Sequence, residues 1–274
     1  MRTKNTYLAL PLALIAMTSI PAIADSQPVV ADTQPGVANS QITIGNSPSF
    51  FEGTYGTQNN IDVLYDATYL QYQNGNTLFK LTVPYENIKG LPVGAILSGA
   101  VVTHGTSTQT RNSSGLGDIW LEGDYTALPA AGLRPSITPY AKIKFGTASQ
   151  ASGLGTGEND YEAGFNFQQT LSPTLYPFAS VGYRVVGNPA GYALENLWSY
   201  KAGASYAVKT MDFLTAMVSG TSAQVVGQVG PSDLIVAWNH NTSATGSGFQ
   251  LFLDKGLTNT TSNFGVGASI QYVF

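Results

Sequence analysis

The residues of this chain that could do chemistry are few, and they come in pairs. Asp160 and Glu162, Glu122 and Asp124, and Lys142 and Lys144 each stand two positions apart. In an extended segment that spacing puts both side chains on one face. Paired carboxylates on one face could hold a hard cation through oxygen ligands. They could also pair with bases on an adjacent strand, and the chain order favours that. The basic stretch 134–145 (Arg134, Lys142, Lys144) lies between the acidic stretches 115–126 (Asp118, Glu122, Asp124) and 158–170 (Asp160, Glu162). Neighbours in sequence that become neighbours in an antiparallel sheet would make a charge-balanced wall, which lowers the cost of desolvating each charge. No metal ligand set and no cofactor site is expected from these residues.

Catalytic constellations fare worse. The two histidines, His104 and His240, fall at opposite ends of the strands assigned below and cannot share a site. A nucleophile needs a base held at hydrogen-bond distance, and serine is too common here to nominate one. Gly115-Leu116-Gly117-Asp118 has the look of a phosphate loop, but neither a helix start nor a P-loop lysine follows. Its glycines are better read as relieving crowding where a strand enters a sheet. The chain is not expected to be an enzyme.

The elements that position the charges follow from period-two alternation. The last twelve residues, NFGVGASIQYVF, set Phe264, Val266, Ala268, Ile270, Tyr272 and Phe274 against a largely polar phase. That is a strand with one apolar face, longer than an average globular strand and suited to crossing a bilayer at a tilt. The same reading gives eleven more strands, at Gln41–Gly53 and at 60–72, 77–86, 115–126, 134–145, 158–170, 174–186, 195–208, 211–222, 232–240 and 247–255. Nearly every charge in them opposes the aromatic and branched phase. A charge on a lipid face near the midplane would cost about 2–4 kcal/mol, so the charged phase is assigned to the interior. The residues so assigned are Asp62, Asp66, Lys80, Asp118, Glu122, Asp124, Arg134, Lys142, Lys144, Asp160, Glu162, Arg184 and Lys201. They are the expected lining of a permeation path. Backbone polar groups cannot stay open in lipid, so the sheet must close. The expected fold is all-β: a single transmembrane antiparallel β-barrel of about twelve strands, spanning 41–274.

Composition agrees. Charged residues are only 10% and hydrophobic residues only 43% of the chain, with 30 glycines, 15 tyrosines and no cysteine. A soluble barrel with an apolar interior would carry a charged exterior rich in lysine, and Lys and Arg total only 12. The net charge of −4 gives no argument for nucleic-acid binding. Arg2 and Lys4 precede an apolar run from Tyr7 to Ile20 and then Ala22-Ile23-Ala24, the pattern of a secretory signal peptide over 1–24. A membrane anchor would need a longer run, and Pro11 and Pro21 interrupt this one. Residues 25–40 lack periodicity and carry two prolines, Pro28 and Pro35, as a flexible leader or a plug segment would. The connections alternate. Those at 73–76, 127–133, 171–173, 209–210 and 241–246 are short, and most of the others, above all 87–114, are longer. Short periplasmic turns and long outer loops are the asymmetry of outer-membrane barrels, which places both ends of the barrel domain in the periplasm.

Several motifs carry a resemblance. They are Tyr55-Gly56-Thr57, Leu81-Thr82-Val83-Pro84-Tyr85, Gly115-Leu116-Gly117-Asp118, Gly153 to Tyr161 and Gly182-Tyr183-Arg184. With these the chain resembles the bacterial outer-membrane transporter-like barrels of the phenol-degradation meta-pathway family. The resemblance implies passive passage of small hydrophobic or aromatic molecules through the bacterial outer membrane. The partners it implies are outer-membrane lipids, the barrel-assembly machinery and a small-molecule substrate. The other reading left open is a structural or surface-interaction barrel with a filled lumen. Thr54 stands where similar sequences often carry Asp.

An aromatic at the end of an alternating final strand resembles the insertion signal of such barrels and marks Phe274 as an assembly signal. Deleting Phe274 should lower the amount of folded protein recovered in outer membranes. Wild-type amounts of the truncated chain would remove that role.

Overall fold

The computed structural model describes residues 40–97 and 107–274, and the backbone of 101–103. The expected signal peptide, all of the leader but Ser40, and His104 lie outside the described residues. Those residues form fifteen strands: β1 (Gln41–Gly53), β2 (Ile61–Asn74), β3 (Thr77–Pro92), β4 (Ala95–Leu97), β5 (Val101–Thr103), β6 (Thr110–Leu116), β7 (Ile119–Tyr125), β8 (Ser136–Phe145), β9 (Asp160–Gln168), β10 (Leu175–Val185), β11 (Leu197–Lys209), β12 (Asp212–Thr221), β13 (Ser232–Asn241), β14 (Gly248–Gly256) and β15 (Phe264–Val273).

All but β4 and β5 join one antiparallel sheet that closes, because β1 pairs with both β2 and β15. β6 and β7 are successive segments of one barrel strand, both paired with β3, so the wall has twelve strands. The break between them is the Gly117-Asp118 step, where the Gly117 amide donates to the Pro84 carbonyl at 2.9 Å. Closure leaves no edge open, which is what hydrocarbon demands of a β protein. Thr43 pairs with Val273 and Gln41 with Gln73, so both ends of the barrel domain meet the 75–76 turn at one rim. The opposite rim carries the longer loops.

The expected strand at 115–126 and the expected 87–114 loop need redrawing. β3 continues to Pro92 and pairs with β6 from Thr110, so a hairpin extends the wall and only 93–109 is left to connect it. At β4 the chain turns inward. Ala95, Ile96 and Leu97 are at most 1% exposed, as an apolar, uncharged stretch must be if it is not to face water. The Leu97 amide donates to the Gly153 carbonyl at 3.0 Å, and Tyr192 Oη to the Gly94 carbonyl at 3.0 Å. Arg111 Nη2 donates to the Ala95 carbonyl at 2.8 Å and Nη1 to the Ala151 carbonyl.

Alternation along the wall separates two surfaces. On β15, Phe264, Val266, Ile270 and Tyr272 are exposed while Ser269 and Gln271 are buried. The outer surface is an aromatic and aliphatic band, the face a bilayer would cover. Inside, one apolar cluster joins Phe51 and Tyr55 to Val63 and Tyr65 of β2, the hairpin's Ala95 and Leu97, Leu154, and Ile235 and Phe252 on the far wall.

Close approach across the wall depends on glycine at several places, Gly45 and Gly267 among them. A Cβ on Gly45 would lie 2.2 Å from Tyr69 Cζ, and one on Gly267 would lie 2.3 Å from Phe252 Cε1. Each ring lies across the neighbouring backbone, and Tyr69 Oη goes on to donate to Gln271 Oε1 at 3.0 Å. Gly45→Val should displace Tyr69 and lower stability by about 1–3 kcal/mol, read as a lower urea midpoint for the barrel refolded in detergent micelles.

Candidate functional site

The candidate site is the inner wall from β3 to β10. Lys80 pairs in register with Glu122, Glu122 with Lys142, Lys142 with Glu162 and Glu162 with Arg184. The side chains therefore alternate plus, minus, plus, minus, plus along one row of the sheet, all of them buried. Opposite charges directly across a strand pair stabilise it, and like charges there would not. The closest contacts run from Arg184 Nη2 and Nε to Glu162 Oε2 at 2.7 and 2.8 Å, and from Lys142 Nζ to Glu122 Oε2 at 3.6 Å. Tyr140 Oη and Ser199 Oγ donate to Glu162 Oε1 at 2.6 and 2.7 Å, so this carboxylate is held from several sides. Cations also sit over rings: Lys80 over Tyr69 at 4.9 Å, Lys142 over Tyr140 at 4.8 Å and Arg184 over Trp120 at 4.9 Å. Aromatic faces suit such contacts where water is scarce.

Beside the row, toward the loop rim, lies a triad. Lys144 Nζ is 3.1 Å from both Asp118 Oδ2 and Asp160 Oδ2 and donates to Thr156 Oγ1 at 3.2 Å. Asp118 Oδ1 in turn accepts the Ala148 amide at 2.9 Å. That bond fixes the start of the loop whose Gly153 carbonyl receives Leu97. The charged wall thus holds the segment that holds the apolar hairpin. Asp124 is buried near Glu122, and Lys201 is buried opposite Ser180 and Ser219.

Three expected lining residues lie elsewhere. Asp62 and Asp66 are on the outer face of β2, because it is Ile61, Val63, Tyr65, Ala67 and Tyr69 that are buried inside. Asp62 sits at the loop rim, taking a bond from Asn60 Nδ2 at 3.0 Å and paired in register with Lys89. Asp66 Oδ1 takes Asn46 Nδ2 at 2.6 Å. On the buried face of the same strand, Tyr69 meets Gln271 and Lys80. Arg134 is exposed in the turn before β8, where Nη2 donates to the Pro129 carbonyl at 3.1 Å.

The fold is that of outer-membrane β-barrels. An outer membrane channel from Pseudomonas putida F1 superposes with a TM-score of 0.64 at 12% identity, covering 100% of each chain. The translocator domain of the autotransporter NalP from Neisseria meningitidis gives a TM-score of 0.53 at 9% identity, over 88% of this chain and 91% of that one. The NanC porin gives 0.51 at 9% identity, over 84% and 98%. No family model matches the chain. No curated protein matches it either.

Several inward groups were not singled out by sequence: Trp120, Tyr140, Tyr69 and Glu86. The signal was the phase of each strand, which places Trp120 and Tyr140 with the charges. His240, expected to be incidental, has a partner. Its Nδ1 lies 2.9 Å from Asp212 Oδ1, which also accepts Trp238 Nε1 at 3.2 Å, at the short-turn rim and on the outer face.

Lys144→Met would leave Asp118 and Asp160 as buried charges without their base. Breaking a buried pair this way costs about 3–5 kcal/mol, expected as a large drop in the urea midpoint. Adding Asp118→Asn and Asp160→Asn should recover most of it.

Proposed function

We propose that this chain is a passive channel of the bacterial outer membrane for small hydrophobic or aromatic molecules. The observation that carries the reading is the inward-folded apolar segment at Ala95–Leu97. Its Ala95 and Leu97 belong to one apolar cluster with Phe51, Tyr65, Ile235 and Phe252. A solute that prefers hydrocarbon would exchange contacts with that cluster at little cost, since burial of apolar area is non-directional and worth about 25 cal/mol per Å². A charged solute would have to leave water against it. The ion-paired wall is the complement. Its row alternates in sign, so neighbouring charges offset one another.

The resemblance to the phenol-degradation meta-pathway family points to the same class of solute. Export through a signal peptide at 1–24, with the short turns periplasmic, gives the orientation. In it the hairpin faces the cell exterior and Lys80, Glu122 and the residues paired with them line the path below. The same tight packing also fits a filled barrel without transport, and one experiment separates the two. Deleting Pro92–Val102 should raise single-channel conductance in planar bilayers and speed uptake of small aromatic solutes into liposomes. A deletion variant that folds yet conducts and takes up no more than wild type would sink the channel reading.

A further inference from the structure

Asp233 and Asp254 stand apart from the charge row, on the opposite wall at the loop rim. They are 0% and 2% exposed. Ile235 pairs in register with Asp254, so the two aspartates are diagonal neighbours on the inward faces of β13 and β14. Each has one oxygen engaged: Thr261 Oγ1 donates to Asp233 Oδ1 at 2.6 Å, and Ser262 Oγ to Asp254 Oδ1 at 2.9 Å. The second oxygen of each, Oδ2, is buried with no hydrogen-bond partner among the described residues. Lys255, next in sequence to Asp254, is on the outer face, where its Nζ donates to the Asn263 carbonyl at 2.9 Å.

A third group is in the same condition. The Tyr55 hydroxyl is buried without a hydrogen-bond partner, on a side chain only 4% exposed. Its ring belongs to the cluster that contains Ile235 and Phe252, each two positions from one of the aspartates on the same face. A Cβ on Gly53 would lie 2.8 Å from Ser262 Cα, and one on Gly56 would lie 3.7 Å from Thr260 Cγ2. The turn that carries Tyr55 therefore packs against the loop whose Thr261 and Ser262 hold the two aspartates. Tyr55 has φ of +49°, followed by Gly56 at +78°, so the loop turns tightly at the residue that brings in this hydroxyl.

Two carboxyl oxygens and a phenol oxygen, all buried and without a hydrogen-bond partner among the described residues, with two further hydroxyls alongside, form an oxygen-only set. We propose that Asp233, Asp254 and Tyr55, together with Thr261 and Ser262, bind a divalent cation of the hard, oxygen-preferring class, with calcium the best match. Calcium accepts irregular oxygen geometry and neutral donors more readily than magnesium. The site departs from the expectation of no metal, which rested on carboxylates that the structure pairs with Lys144 and Arg184. A bound ion would tie the 54–60 and 257–263 loops to the β13–β14 wall.

The test uses the mature chain refolded in detergent micelles and stripped with chelator. Titration with calcium chloride, followed by calorimetry and by thermal unfolding, should give one saturable site. A Kd of about 10⁻⁴ to 10⁻³ M is expected, the range of extracellular calcium modules, with a higher unfolding temperature at saturation. Asp233→Asn combined with Asp254→Asn keeps shape and removes mutual repulsion, so this variant should fold and lose the site. Tyr55→Phe should weaken binding by about 10-fold. Glu158→Gln with Glu195→Gln, exposed in other loops, should leave it intact. No saturable binding by folded wild type, or binding that survives Asp233→Asn with Asp254→Asn, would overturn the assignment. Neither readout involves transport.

Discussion

A peptide group exposed to hydrocarbon finds no water, and each one left unpaired costs several kcal/mol. That constraint shapes the whole chain. It requires the wall to close, and β1 closes it by pairing with both β2 and β15. It also tolerates Pro48 within β1, where the β1–β15 register is not continuous and Ser47 Oγ lies 3.5 Å from the Ala268 carbonyl. Once the sheet is closed, alternation does the rest. Each strand has one face for lipid and one for a confined interior.

The interior is not uniform. Along β3 and β7 to β10 it is ionic, and the ions are arranged so that each meets its opposite across a strand pair. Buried ion pairs are poor sources of net stability, because desolvation consumes much of the Coulomb gain. What the row supplies is geometry. Lys144 joins Asp118 to Asp160, Asp118 holds Ala148, and the loop beyond holds the apolar hairpin. Along β1, β2 and β12 to β14 the interior is mainly apolar or neutral, with Phe51, Val63, Met217, Ile235 and Phe252. A barrel with one ionic and one greasy half can anchor a loop on the first and pack its apolar tip against the second.

Much of this was legible in the chain. Period-two alternation marked the strands, and the opposition of charge to aromatics gave the inward phase for Lys80, Glu122, Lys142, Glu162 and Arg184. The order basic between acidic implied the pairing of Lys144 with its neighbours. Where that logic failed, it failed for physical reasons. β2 carries its aspartates outward because a rim position and an Asn46 bond satisfy them. Alternation alone is silent on which phase faces in when neither is plainly lipid-like. Arg134 kept the right parity but lay beyond the strand, where parity has no meaning.

Sequence by itself determined the class of structure, because strand periodicity and the cost of charge in lipid are local properties that each segment carries alone. Tertiary structure decided what depends on closure. Asp233, Asp254 and Tyr55 are far apart in the chain or on different strands, and only register and the 54–60 turn bring them together. The five-charge row likewise needs four strand pairs to align at once. Register sums small contributions along whole strands, Tyr69 over Gly45 among them, and no single stretch contains that sum.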